Sequence, residues 1–284
     1  FVWQERRTAE PIMPLWVFSR RVLVGSNLAT LALGLLSIGL TTFLPTYAQG
    51  VLGVSAIIAG FALAVMSVSW PVCSALSGRF YMRIGFRNTA LIGAAISLLS
   101  GIFFTLLPES TNIFIVSLGS LIMGAGLGLL STPLIVGLQS VVGWNRRGVV
   151  TGSNMFARQL GQTVGAAIFG SIANAVLVGW LAQAPKSIAK QLPTSLNTAS
   201  QYLGGGSSSA LPARAEAYLR LGLYQASHQV FLVLAIIGLA SVMVLVFTPR
   251  TFRTLHFAED DQATNLATEP QDVLVSGERS VMQD

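Results

Sequence analysis

Charge is what this sequence has least of. Asp, Glu, Lys and Arg together make up 10% of its 284 residues, against about 25% in soluble domains. Hydrophobic residues make up 52%, and that balance excludes a water-soluble globule. Cysteine is almost missing too: Cys73 stands alone in an apolar run, so no disulfide framework can form within the chain. The two histidines, His228 and His256, have no neighbours at metal-ligand spacing, and no metal site is expected. No nucleophile and base can be paired, so neither a catalytic residue nor an enzyme is expected. The formal charge of +6 comes without a Lys/Arg block or aromatic-basic interleaving, which removes the case for a nucleic-acid partner. Gly204 to Gly206 lack the Lys-Ser/Thr of a phosphate loop and read as a linker.

What the sequence does hold is long uncharged runs: 22–78, 88–108, 110–145, 159–185 and 221–249. A helix crosses a hydrocarbon core about 30 Å thick with roughly 20 residues, so each run contains one or two crossings. Turn residues and charges divide them into six spans at about 22–47, 57–77, 89–107, 113–139, 150–181 and 228–247. The expectation is an all-α integral membrane protein, a six-helix bundle embedded in the lipid bilayer. Residues 1–21 form a lead-in, 182–226 an external loop, and 249–284 an acidic, disordered tail. Lys and Arg alternate sharply between loops: twelve lie on the side of the lead-in, four on the other. Cytoplasmic loops keep the excess of positive charge, so both termini are expected in the cytoplasm, with the protein in the inner or plasma membrane. The first residue is Phe1 rather than Met, and a fragment or trimmed product is expected.

Polar groups inside a bilayer are costly and therefore mark function. The six spans contain no Asp or Glu, and the intramembrane candidates are Arg158 with Gln159, and Asn154 one turn before. Arg158 either lines a translocation path or snorkels to the surface. Phe43, Tyr47, Met66 and Trp70 could hold a flat lipophilic cation through dispersion and cation–π attraction, or could simply pack. Gln139, at the end of the fourth span, is either an amide cap or a substrate contact. Gly124 and Gly128 in the fourth span, and Gly161 and Gly165 at small-xxx-small spacing in the fifth, point to close helix packing. A basic loop is expected at 78–87.

Four stretches in order resemble the major facilitator superfamily, and within it the fourteen-span drug:proton antiporter branch. Glu10-Pro11-Ile12-Met13-Pro14-Leu15 resembles that branch's lead-in to its last six helices. Phe43-Leu44-Pro45-Thr46-Tyr47-Ala48-Gln49-Gly50-Val51-Leu52-Gly53 resembles its first outer turn. The stretch from Gly78 to Arg87 resembles the superfamily's basic loop between the second and third helices of each half, which implies a cytoplasmic gating role for Gly78, Arg79, Arg83, Gly85 and Arg87. Arg146-Arg147-Gly148, Thr151-Gly152 and Arg158-Gln159-Leu160-Gly161 resemble the approach to the fifth helix of the second half. Met82 stands where the family usually has an Asp before the residue here numbered Arg83. The resemblance implies the C-terminal six-helix half of a proton-driven exporter of amphipathic or cationic drugs, with the missing N-terminal half as its partner. It implies alternating access around a cavity lined in this half by spans one, two, four and five. The proton gradient, not a cofactor, would supply the energy, and the coupling acids would lie in the other half. An exporter of one metabolite or siderophore on the same fold remains open, as does a non-transporting remnant or scaffold.

Overall fold

The computed structural model describes residues 16–185, 188, 192–193 and 212–249. The expected lead-in over 1–15, most of the linker with its glycine run, and the tail after 249 lie outside the described residues. Among those residues the structure is helical throughout. A short helix α1 (Trp16–Ser19) precedes α2 (Arg21–Gly50), α3 (Ala56–Ile84), α4 (Phe86–Thr105), α5 (Ile113–Ser140), α6 (Arg147–Ala182) and α7 (Ala213–Phe247). All six long helices are long and apolar enough to cross a membrane. They run alternately up and down, which gathers Arg20, Arg21, Arg79, Arg83, Arg87, Arg146 and Arg147 at one end of the bundle, here termed the basic end.

Helix starts follow local chemistry. The Ser55 hydroxyl accepts from the Ile58 N–H at 3.4 Å, and the Asn112 side-chain oxygen accepts from Phe114 N–H at 3.2 Å; each satisfies a donor that the first turn leaves open. Three expected boundaries are corrected. The first span, expected to end at about 47, continues as helix α2 through Pro45 to Gly50, and the turn begins only at Val51. Proline removes just one backbone bond, and in lipid the remaining carbonyls have no better partner than the helix.

The expected basic loop at 78–87 is also mostly helix. Gly78, Arg79 and Arg83 belong to the last two turns of α3, and the chain reverses at Gly85 alone, with φ 85° and ψ 161°. Only glycine adopts that backbone region without strain. Tyr81 and Phe86 stack across the reversal, ring centroids 4.9 Å apart. Arg87 then reaches across to α7, donating to the Leu245 carbonyl at 2.9 Å and the Val246 carbonyl at 2.6 Å. It therefore satisfies acceptors that the end of α7 leaves open. Arg87→Ala is expected to remove about 1–2 kcal/mol of stability, read as a lower melting midpoint of the purified chain in detergent. Arg79→Ala, at an exposed position, is expected to leave it unchanged; equal effects would refute the capping role.

The third correction concerns the sixth span, expected from about 228. The helix begins at Ala213, so the last part of the supposed external loop is three to four turns of α7. Arg214, Glu216 and Arg220 hide this extension from a hydropathy reading. Yet Ala215, Leu219, Gly222, Leu223 and Ala226 recur at helical spacing and are all buried. The extension is anchored at several points. Trp180 and Tyr218 stack at 5.3 Å and each donates to the other's backbone carbonyl. Arg220 pairs with Glu216 at 2.9 Å and donates to the Val51 carbonyl at 3.3 Å. A helix of 35 residues is about 52 Å long, so α7 projects well beyond the hydrocarbon.

Packing places α2 at the centre. It lies against α6 and α7, while α5 packs on α3 and α4, and α4 on α7. Leu33, Leu36, Leu40, Phe43, Leu44 and Tyr47 of α2 meet Leu127, Leu130 and Phe231 in one continuous core. By contrast α3 and α6 expose much of their length, including Phe61 at 70%, Val68 at 65%, Met155 at 58% and Phe156 at 55%.

Candidate functional site, a polar cleft between the third and sixth helices

Glycine sets the width of the crossings around α2 and α5. A Cβ on Gly161 would overlap the Leu31 carbonyl oxygen, and one on Gly34 would overlap the Arg158 carbonyl oxygen, so α2 and α6 touch backbone to backbone in both directions. A Cβ on Gly165 would come 2.7 Å from the Ile38 side chain. On the other side of the bundle, a Cβ on Gly124 would come 2.6 Å from the Met66 carbonyl oxygen, and one on Gly128 2.5 Å from that of Trp70. This close approach brings short polar side chains within bonding distance, which longer interhelix spacing would not allow.

One polar seam results between α2 and α6. Asn154 donates to the Thr30 hydroxyl at 2.7 Å and to the Asn27 side-chain oxygen at 3.4 Å; Asn27 donates to the Ser153 hydroxyl at 2.8 Å. Gln162 donates to the Ser37 hydroxyl at 3.3 Å. A second polar seam lies between α3 and α5. The Trp70 indole N–H donates to the Ser131 hydroxyl at 3.3 Å, and the Ser74 and Thr132 hydroxyls bond to each other. Buried polar groups in a membrane need such partners, and here they are arranged in pairs across helices.

The two seams meet at Arg158. Its guanidinium carbon lies 4.9 Å from the centroid of the Trp70 ring, joining α6 to α3 over a gap where the two helix backbones are not packed together. Arg158 is eleven residues into α6, and Trp70 fourteen residues from the end of α3. At 1.5 Å per residue these positions are about 17 and 21 Å along their helices from the basic end. The two described carboxylates, Glu109 and Glu216, belong to the opposite end of the bundle. Among the described residues, the aromatic face is thus what offsets the Arg158 charge.

The sequence candidates separate accordingly. Arg158 and Trp70 belong to the cleft, and Asn154, 1% exposed, is buried in the seam between α2 and α6. Phe43, Tyr47 and Met66 do not open onto it: they are 4%, 1% and 3% exposed and fill the core. Phe43 meets Phe169 edge-on, and the Tyr47 hydroxyl donates to the Pro108 carbonyl at 3.3 Å. Gln139 donates to the Thr151 hydroxyl at 2.9 Å and so links the ends of α5 and α6. Gln159 faces outward and is exposed; Gln162, one turn beyond Arg158, takes the inward place. Asn27, Thr30, Ser37, Gln162, Ser74, Ser131 and Thr132 were not singled out from sequence. Asn154, Arg158 and Gln162 recur every fourth residue, and that register would have found the last of them. The serines and threonines carried no such signal, because they are common on helices in lipid.

The comparisons with known proteins agree with this architecture. Residues 3–166, more than half of the chain, match the Major Facilitator Superfamily. The chain is 30% identical over 175 residues to the multidrug transporter protein MdtP of Bacillus subtilis, covering 62% of this chain and 32% of that protein. It is 28% identical over 169 residues to multidrug resistance protein 3 of the same organism, covering 59% and 33%. To the multidrug resistance protein Stp of Mycobacterium tuberculosis it is 29% identical over 182 residues, covering 64% and 33%. The matched stretch spans about a third of the length of these curated relatives. Six apolar helices in a multi-pass bundle, crossing through glycines around a polar cleft, together with a family match over most of that bundle, establish that this chain belongs to the Major Facilitator Superfamily.

Proposed function

We propose that the chain supplies the second six-helix half of a proton-coupled exporter of amphipathic or cationic drugs, of the fourteen-span drug:proton antiporter branch. The observation that carries this reading is the cleft itself. It combines an aromatic platform, Trp70, with a deep guanidinium and neutral hydrogen-bonding groups, a lining suited to flat amphipathic molecules of varied shape. The names of the bacterial relatives support drugs as the cargo. The first six-helix half would close the cleft from the opposite side and pack on the exposed apolar faces of α3 and α6, leaving the remaining outer faces to lipid. The two halves would rock about the cleft to expose it alternately to each side.

Energy would come from the proton gradient, with no cofactor. The described spans offer no carboxylate at the cleft, so the proton-carrying acids of this scheme belong to the first half. Clustering of arginine at the basic end supports a cytoplasmic placement of that end, with both termini inside the cell and the protein in the plasma membrane. Transport of ethidium into everted vesicles bearing the full-length transporter tests the reading. Uptake driven by an imposed pH gradient and abolished by an uncoupler is expected; uptake that persists after the uncoupler would refute proton coupling. Purified and reconstituted alone in liposomes, this chain is expected to give no vectorial transport, and robust transport by a monomer would overturn its assignment as a half.

A further inference from the structure

A cavity of about 520 Å³ lies at the basic end between the first turns of α2 and the last turn of α7, outside the cleft. Phe18, Arg21, Val24, Leu28, Val244 and Phe247 line it. Arg21, Val24 and Leu28 fall at i, i+3 and i+7, one face of α2, so the lining passes from a cation at the helix end to aliphatic side chains further into the span. Gly25 and Thr248 also line it and touch at its wall, where a Cβ on Gly25 would overlap the Thr248 hydroxyl. The rim is apolar and open, with Phe18 55%, Leu28 48% and Phe247 78% exposed.

Charge identifies the occupant. Of the arginines at this end, Arg87 caps α7, Arg146 lies 5.8 Å from the Trp16 ring and Arg147 lies 4.9 Å from the Trp144 ring; Arg79 and Arg83 are exposed on α3, and the cation that lines this cavity is Arg21. Arg20 and Arg21 are exposed, and neither side chain has a hydrogen bond or ion pair among the described residues. The described carboxylates, Glu109 and Glu216, are at the far end of the bundle and cannot reach them. A cation at the mouth of an exposed apolar slot on a membrane-spanning bundle is complementary to an anion carrying hydrocarbon. A free phosphate would neutralise Arg21 yet leave Phe18 and Phe247 bare. We propose that this cavity binds an anionic diacyl phospholipid, its phosphate held by Arg21 with Arg20 beside it, and the start of an acyl chain laid against Val24, Leu28 and Val244. The proposal stands on the membrane-spanning fold and not on the transport reading, so either can fail without the other.

Native mass spectrometry of the purified chain in a neutral detergent tests it, with phosphatidylglycerol and phosphatidylcholine titrated in turn. Phosphatidylglycerol is expected to occupy one site in preference to phosphatidylcholine. A basic residue near a membrane surface contributes about fivefold in affinity, so the double variant Arg20→Gln/Arg21→Gln is expected to weaken phosphatidylglycerol about thirtyfold. The pair Arg79→Gln/Arg83→Gln removes the same charge elsewhere on this end and is expected to change nothing. Leu28→Trp keeps every charge but fills the slot, and is expected to weaken the same lipid. Elution volume and melting midpoint establish that each variant is folded. Equal binding of phosphatidylcholine, an equal loss in the Arg79/Arg83 pair, or displacement of the lipid by inorganic phosphate at matched concentration would overturn the proposal.

Discussion

Gly161→Val is expected to abolish recovery of a folded, monodisperse bundle, whereas Gly170→Ala on the same helix is expected to be neutral or stabilising. The contrast isolates packing from helix propensity. At Gly161 even the first carbon of a side chain would overlap the Leu31 carbonyl oxygen, and the neighbouring Gly34 is held as tightly against Arg158. Backbone cannot rotate away as a flexible side chain can, so α2 and α6 must separate. Overpacking of ordinary cores costs about 1–3 kcal/mol; separating these helices would also break the bonds of Asn154 to Thr30 and of Gln162 to Ser37. Nothing lies within 4 Å of a Cβ at Gly170, and there alanine gains about 0.5–1 kcal/mol of helix propensity. Size-exclusion profiles and melting midpoints in detergent check both. A folded Gly161→Val protein with an unchanged midpoint would refute the backbone crossing.

On the proposed export function, the second expected result is that Arg158→Ala in the full-length transporter lowers drug export at least about tenfold, a barrier change of about 1.4 kcal/mol, at unchanged surface abundance. The guanidinium occupies the face of Trp70 that a cationic substrate would use. Removing it should therefore tighten binding of a lipophilic cation such as tetraphenylphosphonium, by roughly two- to fivefold for a cation–π contact of about 0.5–1 kcal/mol. Tighter binding with slower export is a split that mere misfolding would not produce. Arg158→Lys should fall between, since an ammonium keeps the charge without the planar stacking surface. Normal export by Arg158→Ala at normal abundance would remove Arg158 from the transport path.

The spans were legible because hydrocarbon imposes a simple rule on composition, and the rule depends only on where charge is absent. What escaped is where helices continue past the lipid. The first turns of α7 and the last turns of α3 carry arginines and a glutamate, so hydropathy stops at the membrane surface while the backbone does not. The cleft was half legible. Arg158 and Asn154 stood out as costly residues in an apolar run, and Trp70 as a large aromatic. Trp70 and Arg158 are 88 positions apart in the chain, so neither their meeting nor the place of Asn154 in a wider seam could be read from order along it. Phe43 and Tyr47 show the converse: their aromatic character suggested a substrate surface, but α2 is the most enclosed of the six long helices and turns them into the core. Chain order says which residues share a helix face, but not which faces are covered.

The reversal at Gly85 carries a mechanical consequence. With one residue outside regular structure between α3 and α4, there is no slack to take up a relative tilt, and the Tyr81–Phe86 stack bridges the joint. Any rigid-body movement of α3 must therefore drag α4 with it as a stiff lever arm. Compliance has to reside at the opposite ends of these helices, where seven residues separate Thr105 from Ile113 and five separate Gly50 from Ala56.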